Sequence, residues 1–370
     1  MISDRLLRSV CCVNPECIQR SGTGTLLARD GSDALQCPRC ASRYSLNPAG
    51  YVELMPPQRG QHTSLYVSQE AEFDAALDYK RIGIPLLGAA VRQRAIREML
   101  KPTAHDRLIE LGCGNGKFVF WNRTAVDWAV GIDPAPLFAR EALQGVDLCL
   151  SDARALPFED GTFTAAMSID VLEHLPLEDI RAFLREANRV LGEDGRLFLF
   201  SNTREGSRLD FIVRSVRRLS RWLGEHGVLD DTRDRLRKSD HVKALATYPD
   251  LERVLGDCGF GVEKVLFWNG LFQSIIENLV VKLAEAGLRR TRRGQNTATS
   301  GQQGSTGGED TMRRQVKQRL ARRGLEYRAM MLLTRLMWLD LVLFGSWRAG
   351  PYFVLARRVR GVITGPEVGG

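Results

Sequence analysis

The chain has 370 residues, 44% of them hydrophobic, and a formal charge of +8; this length exceeds one α/β core of roughly 200–250 residues and leaves room for appendages. No stretch approaches the ~18 uninterrupted apolar residues of a spanning helix, and the opening MISDRLLRSVCC lacks the apolar run of a secretory leader, so a cytoplasmic protein is expected. Residues 282–328 hold twelve Lys and Arg against four Asp and Glu, which is the entire excess. The rest is neutral, which argues against a uniformly basic nucleic-acid binder.

Five of the eight cysteines lie in the first forty residues. Cys12 and Cys17 form one close pair and Cys37 and Cys40 a second, a spacing in which two tight turns present four thiolates to a tetrahedral Zn²⁺. Cys11 competes with Cys12 as ligand. Gly22, Gly24 and Gly31, with Leu26-Leu27 and Ala34-Leu35 between them, predict a short hairpin. The alternatives are unligated thiols or disulfides, and disulfides suit a chain without a leader poorly. A module of residues 1–57 is too small to fold on apolar burial alone, so metal would supply much of its folding free energy. The string Gly50-Tyr-Val-Glu-Leu-Met-Pro56 resembles the ribbon of the bacterial ribosomal RNA guanine-N1 methyltransferases.

Residues 58–103 are expected to form a helical linker or lid. From residue 104 short apolar runs alternate with helical spacing. Arg107–Leu111 stops at Gly112-Cys113-Gly114-Asn115-Gly116, Trp128–Ile132 at Asp133, Asp147–Leu150 at Asp152, and Phe163–Ile169 at Asp170; Arg196–Phe200 is a fifth run. Ile180, Phe183, Leu184, Ala187, Val190 and Leu191 repeat at helical spacing, and Gly192 follows as a stop. Such alternation predicts a parallel sheet covered on both faces. Ligands of these sheets bind where strands end, so Glu110, the glycine loop, Asp133, Asp152 and Asp170 form the candidate site. Spacing alone leaves a nicotinamide site open, and leaves Gly112 as a turn residue and Asp152 as a helix cap.

The ordered series Glu110-Leu-Gly-Cys-Gly-Asn-Gly116, Val130-Gly-Ile-Asp133-Pro134, Ser151-Asp-Ala-Arg-Ala-Leu-Pro-Phe158, Asp170-Val-Leu-Glu-His-Leu175 and Arg189-Val-Leu191 with Gly195 resembles class I S-adenosylmethionine-dependent methyltransferases. The branch it is most similar to acts on small molecules, lipids and quinone precursors. Thr164 departs from the Asp usual there. The resemblance implies a Rossmann-like seven-stranded sheet over about 104–270, in an α/β chain with a small N-terminal zinc ribbon and a helical insertion before the last strand. It further implies that Glu110, Gly112, Gly114 and Gly116 hold the methionine part of S-adenosylmethionine, Asp133 the ribose, Asp152 and Ala153 the adenine edge, with Asp170 also lining the cofactor. Asp170 and His174 are the tentative catalytic residues, needed as bases only if the acceptor must lose a proton. A similar acid-x-x-Glu-His arrangement holds a divalent metal in some relatives, with His226 or His241 as added ligands; the simpler expectation is that Asp170–His174 only shapes the pocket. No motif of adenine or cytosine amino methyltransferases is present.

Residues 204–240 interrupt the sheet as a cap insertion whose Phe211, Ile212, Val216, Leu219, Trp222 and Leu223 follow helical spacing. Val262–Trp268 and Pro351–Ala356 are the expected strands six and seven, the latter completing an antiparallel edge, with 351–370 as last strand and tail. Between them, 271–350 reads as a helical, basic insertion with a disordered linker at 290–312 and a basic, Met/Trp/Leu-rich stretch at 313–345 suited to peripheral contact with an anionic membrane, or to a lid. The expected activity is methyl transfer to a small-molecule, lipid or glycan-linked acceptor. The alternatives are an RNA methyltransferase gripping RNA through its ribbon and, from another class, a silent adaptor.

Overall fold

A computed structural model of the chain describes residues 2–21, 24–56, 80–229, 242–284, 286–287 and 324–359. The expected disordered linker at 290–312, residues 313–323 of the basic stretch, residues 58–79 of the expected helical linker and His241 lie outside these residues.

The ribbon contributes helices α1 (Asp4–Ser9) and α2 (Pro15–Ser21) and strands β1 (Ala28–Asp30), β2 (Ala34–Gln36), β3 (Arg43–Asn47) and β4 (Tyr51–Leu54). Helix α3 (Leu87–Ala95) leads into β5 (Arg107–Leu111), α4 (Lys117–Asn122), β6 (Trp128–Asp133), α5 (Arg140–Gly145), β7 (Asp147–Ser151), β8 (Phe163–Ile169), α6 (Leu177–Val190) and β9 (Leu191–Asn202). There follow α7 (Asp210–Glu225), α8 (Tyr248–Asp257), β10 (Phe260–Phe267), α9 (Leu271–Ile275), α10 (Leu325–Phe344) and β11 (Pro351–Arg358). The strands form one sheet in the order β1-β2-β3-β4-β7-β6-β5-β8-β9-β11-β10.

The apolar runs become central strands because both of their faces are covered. Ile109, Leu111, Val130 and Ile132 point to one side, with Ile180, Phe183, Leu184 and Ala187 of α6 and Leu251 and Leu255 of α8. Leu108 and Ala129 point to the other, with Val91 of α3, Val119 of α4 and Met337 and Leu341 of α10. The period-2 alternation of a strand thus splits its side chains between two cores. Thr164, the departure from the family pattern, donates its hydroxyl to Asp106 at 2.8 Å and accepts the Arg107 amide at 3.0 Å, tying β8 to the start of β5.

Strand β11 corrects one expectation. It is antiparallel, but it lies inside the sheet, bonded to β9 on one side and to β10 on the other, and β10 is the edge. Its residues Tyr352–Leu355 are buried, as an interior strand requires.

The ribbon does not hang from the core. β4, the Tyr51–Leu54 segment of the ribbon-like string, pairs parallel with β7, Val52 opposite Cys149 and Leu54 opposite Ser151. The Cys11 amide donates to the Pro157 carbonyl at 2.9 Å, and the Ser3 amide and the Trp128 indole N–H both donate to Asp147. Phe158 meets the rings of Trp128 and Phe163 at this junction, and the ribbon's Leu6, Val10 and Leu35 join the same apolar cluster as β5 and β6.

The Met/Trp/Leu-rich stretch is half core. In α10, Met337, Trp338, Asp340 and Leu341 are buried, and the Asp340 carboxylate accepts the Phe272 and Gln273 amides at the start of α9. Leu332, Val342 and Leu343 are exposed. No described helix is long and apolar enough to cross a membrane.

Candidate functional site

The cleft opens where β5, β6 and β8 end. Gly112, Gly114 and Gly116 all have positive φ. At Gly112 the requirement is double, because at φ +73 a Cβ would lie 2.5 Å from Val171 Cγ2. The amides of Gly112 and Cys113 both donate to the Ile132 carbonyl, at 3.0 and 2.8 Å, so the loop folds back over the end of β6. There Asp133 accepts the Gly114 amide at 2.7 Å and the Ala135 amide at 2.9 Å. Burial pushes its carboxyl up to about 6 despite these bonds. Glu110 is buried beneath the loop and accepts the Val119 amide at 2.7 Å, pinning the first turn of α4. Burial raises it to about 8.

Asp152, beyond β7, accepts from Arg154 through its backbone amide at 2.8 Å and through two guanidinium nitrogens at 2.7–3.0 Å. Arg154 also bridges to Asp179 of α6 at 2.7 Å. The carboxylate is therefore oriented by a fork. Ala153 lines the same cleft.

At the end of β8, Asp170 takes φ +58, a left-handed conformation uncommon outside glycine, and its amide donates to the Phe200 carbonyl at 2.9 Å. Its carboxylate pairs with Arg92 at 3.3 Å. The Arg92 guanidinium lies 4.3 Å from the centroid of Phe200 and 5.5 Å from that of Trp268. His174 faces the same cavity. Glu173 is buried between them, accepting from the Ser201 hydroxyl, with Tyr352 close by. Burial, then the neighbouring Asp170 carboxylate, raises it from the usual 4.5 to about 8.

This last shift has a measurable consequence. The unfolded chain ionises Glu173 near 4.5 and the folded chain near 8, so between those values the folded state holds the extra proton and stability falls as pH rises. Glu110 adds a slope of the same sign. Glu173→Gln is expected to remove a loss of on the order of 3 kcal/mol between pH 5 and 8, read as a flatter plot of urea midpoint against pH. A slope identical to wild type would refute it.

These residues line one continuous cavity of about 710 Å³, which runs from Glu110, Asp133 and Asp152 past Asp170 and His174 to Trp268, Gln273 and α7. The catalytic-metal expectation finds no support in this geometry. Among the described residues, the four cysteines are the one group of three or more potential ligands that converges. His226 instead bonds the Trp222 carbonyl through Nδ1 at 2.7 Å.

Cys12, Cys17, Cys37 and Cys40 do converge, with all four Sγ atoms within 4.8 Å, Cys12–Cys40 at 3.6 Å and Cys17–Cys37 at 3.7 Å. A tetrahedron of thiolates about 2.3 Å from Zn²⁺ has edges of about 3.8 Å, so the cluster fits zinc. The geometry selects Cys12 over Cys11, whose side chain packs on Gly24 instead and whose thiol burial pushes up to about 12. Burial raises Cys40 as well, but hydrogen bonding to Ser42 and then to Cys37 and Cys12 outweighs it and brings the thiol to about 6.

Four participants carry little or no signal in the sequence. Arg92 sits on a helix with no motif, Ser201 and Tyr352 come near Glu173 only through strand pairing, and Arg154 lies inside the Ser151–Phe158 motif, which assigns it no role. A cation two residues after Asp152 was the one available signal.

Residues 109–199 match the family model described as "Methyltransferase domain". Among curated proteins, an uncharacterized 37.1 kDa protein of a Streptomyces fradiae transposon is 32% identical over 143 residues, covering 36% of this chain and 37% of that one. The 27-O-demethylrifamycin SV methyltransferase of Amycolatopsis mediterranei is 33% identical over 111 residues, 27% of this chain and 40% of that one. The chain thus spans about two fifths of the length of these relatives. A solved Haemonchus contortus phosphoethanolamine N-methyltransferase 2 is 14% identical, with 82% of this chain and 61% of that one aligned at a TM-score of 0.46.

Proposed function

We propose that this chain, whose central domain is that of a class I S-adenosylmethionine-dependent methyltransferase, transfers a methyl group to a small-molecule, lipid or glycan-linked acceptor. The observation that carries the reading is one cavity lined both by the Gly112–Gly116 loop, Asp133 and Asp152 and by Asp170, His174, Trp268 and Gln273. The cradle fits the donor's parts: the Gly112–Gly116 loop with Glu110 beneath it for the methionine portion, Asp133 for two ribose hydroxyls, and Asp152 with Ala153 for the adenine edge. Bound there, the sulfonium supplies an electrophilic methyl group.

The protein's own task is then alignment and exclusion of water. Arg92 pairs with the Asp170 carboxylate on the cavity wall, and its guanidinium lies against the Phe200 and Trp268 rings. His174 is placed to take the proton of a hydroxyl acceptor; an amine acceptor delivered neutral would not need it. The Cys12/Cys17/Cys37/Cys40 cluster would hold zinc as a structural ion; none of these cysteines lines the cavity.

The test supplies methyl-labelled donor and purified protein to a fractionated cell extract, with Asp133→Ala as the inactive control. Label is expected in the low-mass or lipid fraction. Label confined to RNA would overturn the acceptor class and favour the ribbon-mediated RNA reading. No transfer and no donor binding would overturn methyl transfer itself.

A further inference from the structure

Helix α7 exposes more large apolar side chains than it buries. Phe211 is 67% exposed, Trp222 54% and Leu219 47%, whereas only Val213 and Ser220 are buried. Phe211, Ser215, Arg218 and Trp222 follow the i, i+4, i+7, i+11 spacing of one helical stripe, with Leu219 beside it. Arg214, Arg217 and Arg221 form the adjoining stripe, and these arginines with Arg208 are all exposed. Residues 208–225 thus hold five arginines against Asp210 and Glu225. The Trp222 ring meets that of His226 at 4.3 Å between centroids, tilted by 38°.

An outward face of Phe, Trp and Leu flanked by arginines is costly in water and suits the headgroup–acyl boundary of an anionic bilayer. The face also has a fixed relation to the cavity, because Asp210, Val213 and Arg217 of the same helix line it. α7 packs on α9 and on Ile276–Val281, which continues it, and the Ser220 hydroxyl donates to the Asn278 carbonyl at 3.0 Å. There Val280 and Leu283 are exposed as well.

We propose that α7 is an interfacial docking helix that seats the protein on an anionic lipid bilayer and brings the mouth of the cavity to its surface. This places membrane contact on the cap helix rather than on α10, whose Met337, Trp338 and Leu341 are committed to the core. A phosphate backbone would also attract the arginines, but aliphatic Leu219, Val280 and Leu283 gain nothing from it, so the lipid surface is the better match. The docking stands on this face alone; delivery of an amphiphilic acceptor from the bilayer rests additionally on the methyl-transfer reading.

The test is co-sedimentation of the full chain with vesicles of phosphatidylcholine alone or mixed with phosphatidylglycerol, at low and high salt. Binding only to the mixed vesicles, weakened by salt, is expected. Each basic residue near an anionic surface contributes about a fivefold partition, so Arg218→Gln/Arg221→Gln should weaken binding about twenty- to thirtyfold. Phe211→Ser/Trp222→Ser should weaken it at least tenfold, and brominated lipid should quench a fluorescence component that Trp222→Phe lacks. Melting temperature and calorimetric binding of S-adenosylhomocysteine, both expected to be unchanged, separate loss of docking from loss of fold and from failure of the methyl-transfer reading. Absence of vesicle binding, binding indifferent to these variants, or loss in the variants of single-stranded RNA binding in place of vesicle binding would each overturn the proposal.

Discussion

Asp133→Ala is expected to weaken binding of S-adenosylmethionine and S-adenosylhomocysteine by on the order of a hundredfold or more, read by calorimetry. The size follows from the two hydrogen bonds that the carboxylate is proposed to accept from ribose hydroxyls; at the lower end of roughly 1.5–3 kcal/mol for each bond to a charged group, their loss is about a hundredfold. The carboxylate must be ionised to accept both, and burial has raised it to about 6. Wild-type affinity is therefore expected to be level above that value and to fall about tenfold per pH unit below it. Asp133→Asn is expected to bind weakly with no such break. A variant that binds the donor as tightly as wild type, or a wild-type profile flat down to pH 4.5, would remove Asp133 from the cofactor site.

Withdrawing zinc is expected to lower the melting temperature by on the order of 10 °C or more, and cofactor affinity with it. Structural thiolate sites contribute folding free energy outright, and β4 carries the loss into the cleft because it is bonded to β7, which leads directly to Asp152. Metal analysis should find one zinc per chain, and chelation followed by zinc addition should restore both melting temperature and affinity. Cys37→Ser should reproduce the loss, whereas Cys11→Ser, outside the cluster, should keep its zinc. A chelated sample with unaltered melting temperature and affinity would sink both the site and its coupling to the cleft.

What could be read in advance follows physical lines. β5, β6 and β8 begin and end where their apolar runs do, because strands buried on both faces write their limits into composition. The cysteine pairs and the glycine loop were legible because metal coordination and positive φ each tolerate few residue types. The seat of β11 between β9 and β10 and the pairing of β4 with β7 were not. Ladder partners far apart in the chain leave no local signature, and Val52 and Cys149 are ordinary strand residues taken singly. Arg92 was invisible for a related reason: only the fold brings it between Phe200, Trp268 and Asp170. Asp170 with its left-handed backbone was found by its place at a strand end, although nothing in the residue type announced the strain.

The parallel seam between β4 and β7 bears on how the protein fails. Without the ribbon, β7 would bound the seven central strands, and its amide and carbonyl groups along Asp147–Ser151 would face outward on an apolar strand. Open, flat borders of this kind recruit strands from other molecules. If the four cysteines hold the zinc proposed for them, they guard solubility as well as shape. Loss of that ion would then turn a covered border into a template for intermolecular aggregation, at a point in the chain distant from Cys12, Cys17, Cys37 and Cys40.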